Sequence, residues 1–403
     1  MSPRFKGGVV SATPPTITGP TDGEGGSASG IWGMANIVQE EGGSTWPKLL
    51  KQGGLWTWGY NVSGNLGDGS TTDRSSPVQV GALTTWLKVA MGYESLFALK
   101  SDGTLWSAGR NNDGQLGHGN TTNLSSPAQV GSLTTWSKIA TGGHSFYSVK
   151  TDGTLWVMGK NDVGQLGTGN TTDYSSPVQV GSLTNWLRVS GAYRHCLAVK
   201  TDGTLWAWGE GANGRLGDGG TTDRNSPVQI GSLTTWSKVG AGGVLSTAIK
   251  TDGTLWSWGD GNDGGTGHSN TTDYSSPVQI GSLTTWSKCA AGKFNLLMLK
   301  TDGTIWAVGK NDDYGEVGQS NDTNYSSPVQ IGSLTTWTDI ARGHQTGFAL
   351  KTDGTLWVWG RGNFRGSLGL GNTTNYSSPV QLGSDTWIKL PEQLESHQAT
   401  AIK

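Results

Sequence analysis

Histidine, cysteine and carboxylate side chains are the groups here that could ligate a metal or move a proton, and their spacing argues against both. The six histidines show no His-x-x-x-His pair, and Cys196 and Cys289 form no Cys-x-x-Cys, so no transition-metal ligand set is spelled out. Asp68-Gly69, Asp218-Gly219 and Asp73 recur without a convergent acidic set that would suit calcium. His144, Tyr193, Arg194, His195 and His344 fall at related places of a repeated unit. Acid–base or nucleophilic catalysis would need a nucleophile or a carboxylate pair against them, and Glu94, the nearest candidate, belongs to a different copy from His144. The expectation is a protein that is not an enzyme and has no catalytic residues, metal or cofactor. The cysteines stand where sister copies carry Leu, Phe, Ser, Val or Ile, as small buried hydrophobes do.

What remains is recognition, and the repeat that would position it is explicit. Thr-Asp-Gly-Thr-Leu-Trp or a close variant returns about every fifty residues, anchored at Trp56, Trp106, Trp156, Trp206, Trp256, Trp306 and Trp357. A period of this length marks propellers and repeat arrays. Within one copy, residues 104–109, 128–130, 136–140 and 146–150 read as four short strands. Asp-Gly turns lie between apolar strands, where glycine accepts the positive φ a tight hairpin requires. With no helical periodicity, the expected fold is all-β: a seven-bladed β-propeller of four-stranded antiparallel blades spanning 51–403, preceded by an irregular N-terminal arm over 1–50. The last residues, Ala399 to Lys403, should pair beside Leu55 to Gly59 and close one blade from both chain ends, leaving no exposed edge. Fourteen of the twenty tryptophans occupy two fixed repeat positions and supply the core that 33% apolar residues would otherwise leave thin.

The copies differ in two places, after the first strand and between the third and fourth. Antiparallel strands reverse at every turn, so both links should emerge on one face. Its candidate binding residues are Tyr60, Tyr93, Glu94, Arg110, His144, Lys160, Tyr193, Arg194, His195, Glu210, Leu245, Lys293, Phe294, Asn295, Tyr314, His344, Gln345, Phe364, Arg365 and His397. Insertions at Tyr314, in 361–365 and within 391–395 are expected to lengthen loops on this face. The opposite end repeats Gly-Ser-Leu-Thr-Thr almost unchanged. A fixed frame with one diversified, aromatic- and cation-rich face suits protein or glycan contact.

A formal charge of −2 argues against nucleic acid as a partner, because phosphate neutralisation needs a concentrated basic surface. Lys100, Lys150, Lys200, Lys250, Lys300 and Lys351 precede an Asp by two residues and read as a solvated, self-neutralising rim. Asn120, Asn170, Asn270 and Asn372 head Asn-Thr-Thr segments and read as turn residues. Met1 to Val10 lacks the apolar core of a signal peptide and no run approaches a membrane span, so no membrane insertion is expected.

The pattern Trp-x-x-Gly, Gly-Gln-Leu-Gly-x-Gly, Pro-x-x-Val, Ala-x-Gly and Ala-x-Lys-x-Asp-Gly over 51–403 resembles the repeats of the regulator of chromosome condensation (RCC1) family. The resemblance implies a propeller. Its members include exchange factors for small GTPases, chromatin binders and an inhibitor of β-lactamases. The family's His-Thr before the fourth strand falls at Ser95, Ser145, His195, Leu245, Asn295, Thr346 and Gln398, with histidine kept once, a departure that weighs against nucleotide exchange. The arm, with Gly-Gly-Val-Val-Ser-Ala-Thr-Pro-Pro, then Ser-Ala-Ser-Gly-Ile-Trp and a Trp-Pro, is similar to leaders of bacteriophage structural proteins. That resemblance implies a virion protein, present in multiple copies as a tail fibre, receptor-binding or decoration protein. Its arm would dock on other virion proteins through Ile31, Trp32, Met34 and Trp46, and its variable face would bind a host-surface protein or glycan. The alternative expectation is a soluble, cytoplasmic regulatory propeller that binds or inhibits a protein partner or regulates a GTPase.

Overall fold

The Thr-Asp-Gly-Thr segments are tight turns whose chemistry explains their repetition. Asp152 Oδ1 accepts from Thr154 N at 3.0 Å and Thr154 Oγ1 at 2.6 Å, and Thr154 Oγ1 in turn accepts from Trp156 Nε1 at 2.8 Å. Gly153 has φ +78°, and a Cβ there would stand 2.1 Å from Thr184 O, so only glycine fits. The turn thereby aims Trp156, which meets Trp136 edge-on at 6.4 Å.

In this computed structural model, residues 51–403 apart from 395 and 397 are described. The chain divides into the units 1–49 and 50–403. The proposed anchors Ile31, Trp32, Met34 and Trp46, and the candidate His397, lie outside the described residues.

Blade 1 consists of Trp86–Met91, Ser95–Lys100, Leu105–Gly109 and Leu124–Gln129, from the axis outward. Five further blades repeat that order, with inner strands Trp136–Thr141, Trp186–Gly191, Trp236–Ala241, Trp286–Ala291 and Trp337–Arg342. The seventh blade is closed as the sequence predicts: Gln398–Ile402 pairs antiparallel with Leu55–Gly59, from Leu55 opposite Ile402 to Gly59 opposite Gln398, and Arg74–Gln79 forms its outer strand. The seven-bladed, all-β, antiparallel architecture is therefore established.

Three expectations are corrected. The outer strand of blade 1 begins at Leu124, four residues earlier than the sequence suggests; a register jump between the Ser107–Ala128 and Gly109–Leu124 pairs absorbs the extra length. Pro127 is tolerated because this edge strand owes no further ladder bond. The lysine series is not a solvated rim. Lys150 Nζ sits 3.4 Å from the Trp156 ring centre and 4.7 Å from that of Trp136, with Lys150 only 6% exposed. Lys100, Lys200, Lys250, Lys300 and Lys351 sit likewise between paired tryptophans. Burial lowers the pKa of Lys150, Lys200, Lys250 and Lys300 below the usual lysine value, and cation–π attraction, worth about 0.5–2 kcal/mol each, offsets that cost. The ammonium groups cap the tryptophan pairs, while the neighbouring aspartates serve the turns.

The third correction concerns 391–395. Residues 391–394 do not lengthen the variable face. The inner strand of blade 7 is reduced to a bridge between Lys389 and Ile402, and Gln393–Leu394 pairs in parallel with Ala90 and Met91 of blade 1. Pro391 has no N–H to continue the ladder. Glu392 N instead donates to Val89 O at 2.8 Å, and the segment enters the ring.

The turn aspartates give a testable pH dependence. Hydrogen bonds from the Thr side chain and then the Thr backbone hold the carboxylates of Asp152, Asp202, Asp252 and Asp302 below the ordinary range. The unfolded chain therefore takes up these protons first, so the stabilisation is full above about pH 4 and is lost as pH falls toward the lower folded values. Replacing Thr154, Thr204 and Thr254 by Val should lower stability at pH 7 by about 1 kcal/mol per hydroxyl and flatten the loss below pH 4. Urea titrations at pH 7, 4 and 3 check this; an unchanged acid limb in the triple variant would contradict it.

Candidate functional site

Main-chain geometry brings the two variable clusters together in each complete blade. Arg110 N donates to Glu94 O at 2.8 Å, Lys160 N to His144 O at 3.0 Å, Glu210 N to Arg194 O at 2.9 Å, Lys310 N to Phe294 O at 3.1 Å and Arg361 N to Gln345 O at 3.0 Å. The link between the inner two strands is thus zipped to the start of the loop that leads to the outer strand. Glu94, Arg110, Arg194 and Lys293 consequently share one face.

Three side-chain groups build that face. In the first, Tyr93, His144 and Tyr193 from blades 1 to 3 converge, with ring centres 5.5 Å (Tyr93–His144), 6.5 Å (Tyr93–Tyr193) and 6.4 Å (His144–Tyr193) apart. Tyr93 N donates to Gly143 O at 2.8 Å, and a Cβ on Gly143 would lie 2.6 Å from the Tyr193 ring, so the cluster needs that glycine. Burial keeps His144 below the usual histidine pKa despite Asp113 at 3.5 Å. Burial and then Glu94 raise the Tyr93 phenol. Glu94 is held by Ser63 at 3.0 Å and Arg110 at 3.4 Å.

The second group is a ladder of aromatic rings and guanidinium groups on blades 5 to 7. Arg361 lies 4.7 Å from the Tyr314 ring centre and 4.9 Å from that of Phe364; Phe364 lies 5.6 Å from Tyr60, and Arg365 is 5.8 Å from the Tyr60 ring. Asp73, 2.8 Å from Arg365, and Gln345, 2.7 Å from Arg361, fix the two ends. The Tyr314 insertion and the 361–365 loop therefore extend this face, as expected. The third group sets Lys293 at 4.7 Å and Lys310 at 5.8 Å from the Phe294 ring. Between the groups, Arg194 bridges Asp162 at 3.0 Å and Glu210 at 3.7 Å, and Lys160 meets Asp162 at 3.3 Å. His344 N donates to Ser396 O at 3.2 Å at the seam with blade 7.

His195, Leu245 and Asn295 are not surface residues. Their exposures are 0%, 0% and 2%, because the first residue of each second strand turns into the seam between blades. His195 Nε2 lies 2.8 Å from Ser246 Oγ, and Asn295 Oδ1 accepts from Arg342 Nε at 2.8 Å. The sequence reading missed Arg342, which also donates to Glu316 O at 2.7 Å and whose pKa burial lowers to about 10. It missed Arg215, buried against Glu210, as well. Arg342 sits where sister copies carry uncharged residues, and Arg215 where they carry Asn, Gln, Gly, Ser or, once, Glu316, a signal visible in the repeat. The third residue of the inner strand, a cation at Lys88, Lys138, Arg188, Lys238, Lys288 and Lys389 and an acid at Asp339, was likewise passed over. Among the described residues, no group of three His, Cys, Asp or Glu could hold a metal ion. The face offers stacking, cation–π and charge-assisted contacts, which are means of recognition.

The RCC1-like domain model matches residues 36–280, and the regulator of chromosome condensation (RCC1) repeat model matches 302–350. No curated protein matches the chain by sequence. Among solved structures, human WBSCR16 is similar over 87% of this chain and 98% of its own, at 20% identity and a TM-score of 0.77. Prp20p of Saccharomyces cerevisiae, described with its binding to Gsp1p and histones, is similar over 91% of this chain and 93% of its own, at 19% identity and a TM-score of 0.78. Yeast RCC1 (Prp20) bound to Kap60 is similar over 87% and 89%, at 20% identity and a TM-score of 0.76. These likenesses are of fold.

The buried imidazole separates scaffold from surface experimentally. Burial, then Arg215, drives the His195 pKa well below the usual value. Unfolding therefore releases a group that gains a proton below about pH 6.5, so its stabilisation is present above that pH and lost as pH falls. His195→Leu, which copies Leu245 of the next blade, should shrink the melting-temperature drop between pH 7.5 and 5.0, leaving the share of His118, His144 and His268, which burial also holds below the usual value. An equal drop in the variant, read by circular dichroism, would contradict the assignment.

Proposed function

We propose, because this chain belongs to the RCC1-like domain family, that it is a non-enzymatic regulatory propeller that binds a protein partner through its variable face. The observation that carries this reading is the Tyr314–Arg361–Phe364–Tyr60–Arg365 ladder beside the Tyr93–His144–Tyr193 cluster. Aromatic and guanidinium groups fixed in place lose little entropy on binding, and they dominate protein interfaces. Support also comes from similar propellers whose reported partners are proteins: Kap60 for one Prp20 structure, Gsp1p and histones for the other. The formal charge of −2 favours a protein over nucleic acid. Six copies lack the family's histidine at what is the first residue of the blade's second strand, which weighs against nucleotide exchange.

The family matches and the solved structures speak to the propeller and give no support to particle docking, host adhesion or glycan binding, and the arm lies outside the described residues. No helix among the described residues is long and apolar enough to cross a membrane.

The opposite face supplies the control. Its Gly-Ser-Leu-Thr-Thr turns expose Leu133, Leu183, Leu233 and Leu283, each at 44–46%, a ring that could also attract a partner. Proximity labelling followed by titration of the purified partner should identify a protein whose affinity for the full chain drops at least about tenfold with Phe364→Ala and Arg361→Ala combined. Leu133→Ser and Leu183→Ser should leave it unchanged. The reverse pattern, loss through the leucine ring alone, would overturn the assignment of the face.

A further inference from the structure

We propose that the partner presents an acidic segment to the variable face, setting an Asp or Glu carboxylate on Arg361 and an apolar or aromatic neighbour against Phe364 and Tyr60. This rests on the reading that the variable face binds a protein, and it names the chemistry of what is bound.

The residue that follows the third strand of the blade is a cation in four copies, at Arg110, Lys160, Lys310 and Arg361. In the first three the chain itself supplies an acid. Arg110 lies 3.4 Å from Glu94, Lys160 3.3 Å from Asp162, and Lys310 3.0 Å from Asp313 and 3.7 Å from Asp312. Glu94 comes from the link between the inner two strands, whereas Asp162 and Asp312 stand two residues beyond their cation.

In blade 6 both places hold the corresponding amide. Gln345 stands where blade 1 has Glu94, and Asn363 stands where Asp162 and Asp312 do. The amides keep the hydrogen bonds and omit the charge: Arg361 Nη1 donates to Gln345 Oε1 at 2.7 Å, and its Nε donates to Asn363 Oδ1 at 3.0 Å. Among the described residues, no carboxylate lies within ion-pair distance of Arg361, and its Nη2 donates to none of them. The Tyr314 and Phe364 ring centres, 4.7 and 4.9 Å from the guanidinium carbon, hold the group by cation–π contact without neutralising it. Arg361, Tyr314, Phe364 and Tyr60 are all half-buried.

A guanidinium fixed in this way keeps its full charge and has little rotamer freedom left to lose. A carboxylate is its planar complement and accepts charge-assisted hydrogen bonds from the unused N–H groups. Elsewhere on the face an incoming acid meets a resident one. Arg194 is shared by Asp162 and Glu210, and Arg365 is paired with Asp73, so a second carboxylate there is repelled. Lys293 is the other cation of the face without an acid among the described residues; it lies 4.7 Å from the Phe294 ring, in blade 5 beside the blade of Arg361. The two cations left open thus stand in adjacent blades, each on an aromatic ring, which suits a segment that alternates acids with apolar side chains.

The test begins with a library of random peptides about twelve residues long, selected against the full chain, with the enriched peptides titrated by fluorescence anisotropy. Asp or Glu beside Phe, Tyr or Leu should be enriched, and the same peptides remade with Asn and Gln for the acids should bind at least about tenfold more weakly. The decisive variant is Gln345→Glu with Asn363→Asp. It retains Arg361 and both rings and returns the internal acids of the sister copies, so it should weaken the acidic peptides at least about tenfold and bring them level with the amide versions. Arg361→Glu should lose the acidic peptides and gain versions carrying Lys in place of the acids, a gain that misfolding cannot produce. Arg224→Gln, on the outer strand of blade 3, should change nothing. Failure to enrich any binder, equal affinity for acidic and amide peptides, wild-type affinity in Gln345→Glu with Asn363→Asp, or tighter binding of an oligothymidylate through Arg361 would each overturn the proposal. Binding indifferent to acids but lost in Phe364→Ala would overturn this inference and leave the face standing. Loss through Leu133→Ser and Leu183→Ser alone would remove the face as well.

Discussion

Everything on this molecule depends on a belt that ties each blade to the next. The loop leading to one outer strand lies against the outer strand of the following blade so closely that only glycine fits: a Cβ on Gly114 would be 2.5 Å from Ser175 Cα. Five residues on, Gly119 N donates to Ser175 O at 2.7 Å. The same pair of contacts recurs at every seam and closes the circle where Gly366 abuts Ser75 and Gly371 N donates to Ser75 O at 2.7 Å. Twice a serine replaces the second glycine, and Ser269 and Ser320 then adopt φ of 62° and 61°. The seam imposes a left-handed backbone even where the residue disfavours it, at a cost of order 1 kcal/mol. Buried indoles reinforce the belt, as when Trp208 Nε1 of blade 3 donates to Gln165 O of blade 2 at 2.9 Å.

The belt explains why the variable face is a platform. Its loops begin at Arg110, Lys160, Glu210, Lys310 and Arg361, and their far ends are fixed to the neighbouring blade. Between these points the backbone is tied internally: Asn111 Oδ1 accepts from Leu116 N at 2.8 Å, and its amide donates to Asn120 O at 3.0 Å and Thr122 O at 3.1 Å. Glycine stands in place of that asparagine at Gly211, Gly261 and Gly362, and in the first two a short 3-10 turn follows, at Ala212–Gly214 and Asn262–Gly264. Side chains change from blade to blade while both ends of each loop stay tied, so the loop residues have little conformational entropy to lose on contact.

How far the sequence could be read follows from the range of the interactions. Blade number, ring closure and the common face were legible because they follow from local turn chemistry and strand alternation; Leu55 opposite Ile402 needed no tertiary knowledge. The role of Asn-Thr-Thr was legible for the same reason, with Asn170 Oδ1 accepting from Thr172 N at 2.9 Å. Lys150 was misread because charge normally implies solvent, whereas its site is made by tryptophans on two other strands. His195, Leu245 and Asn295 were misread because variation was equated with exposure. Their variation is compensatory across a seam, His195 against Ser246 and Asn295 against Arg342. The insertion at 391–395 was counted correctly but sent the wrong way, since its length does not encode direction; Pro391 and the free edge of Trp86–Met91 decide that.

Exact repetition would have produced a sevenfold ring with an open, uniformly basic axis, and the departures from repetition all act against that outcome. Asp339 replaces one cation, and the 391–394 segment brings Glu392 to two others, Lys88 and Lys389, while the Gln393 side chain accepts from Gly191 N and donates to Ala241 O. Because Leu394 stands beside Met91, at the end of the inner strand nearest the variable links, the segment also obstructs the axis on that side. The partner proposed for the variable face would therefore meet a blocked centre and draw its contacts from the surrounding rim, where the aromatic cluster of blades 1 to 3 and the ladder of blades 5 to 7 stand. The same segment that relieves the charge on the axis thus confines the proposed contacts to the rim.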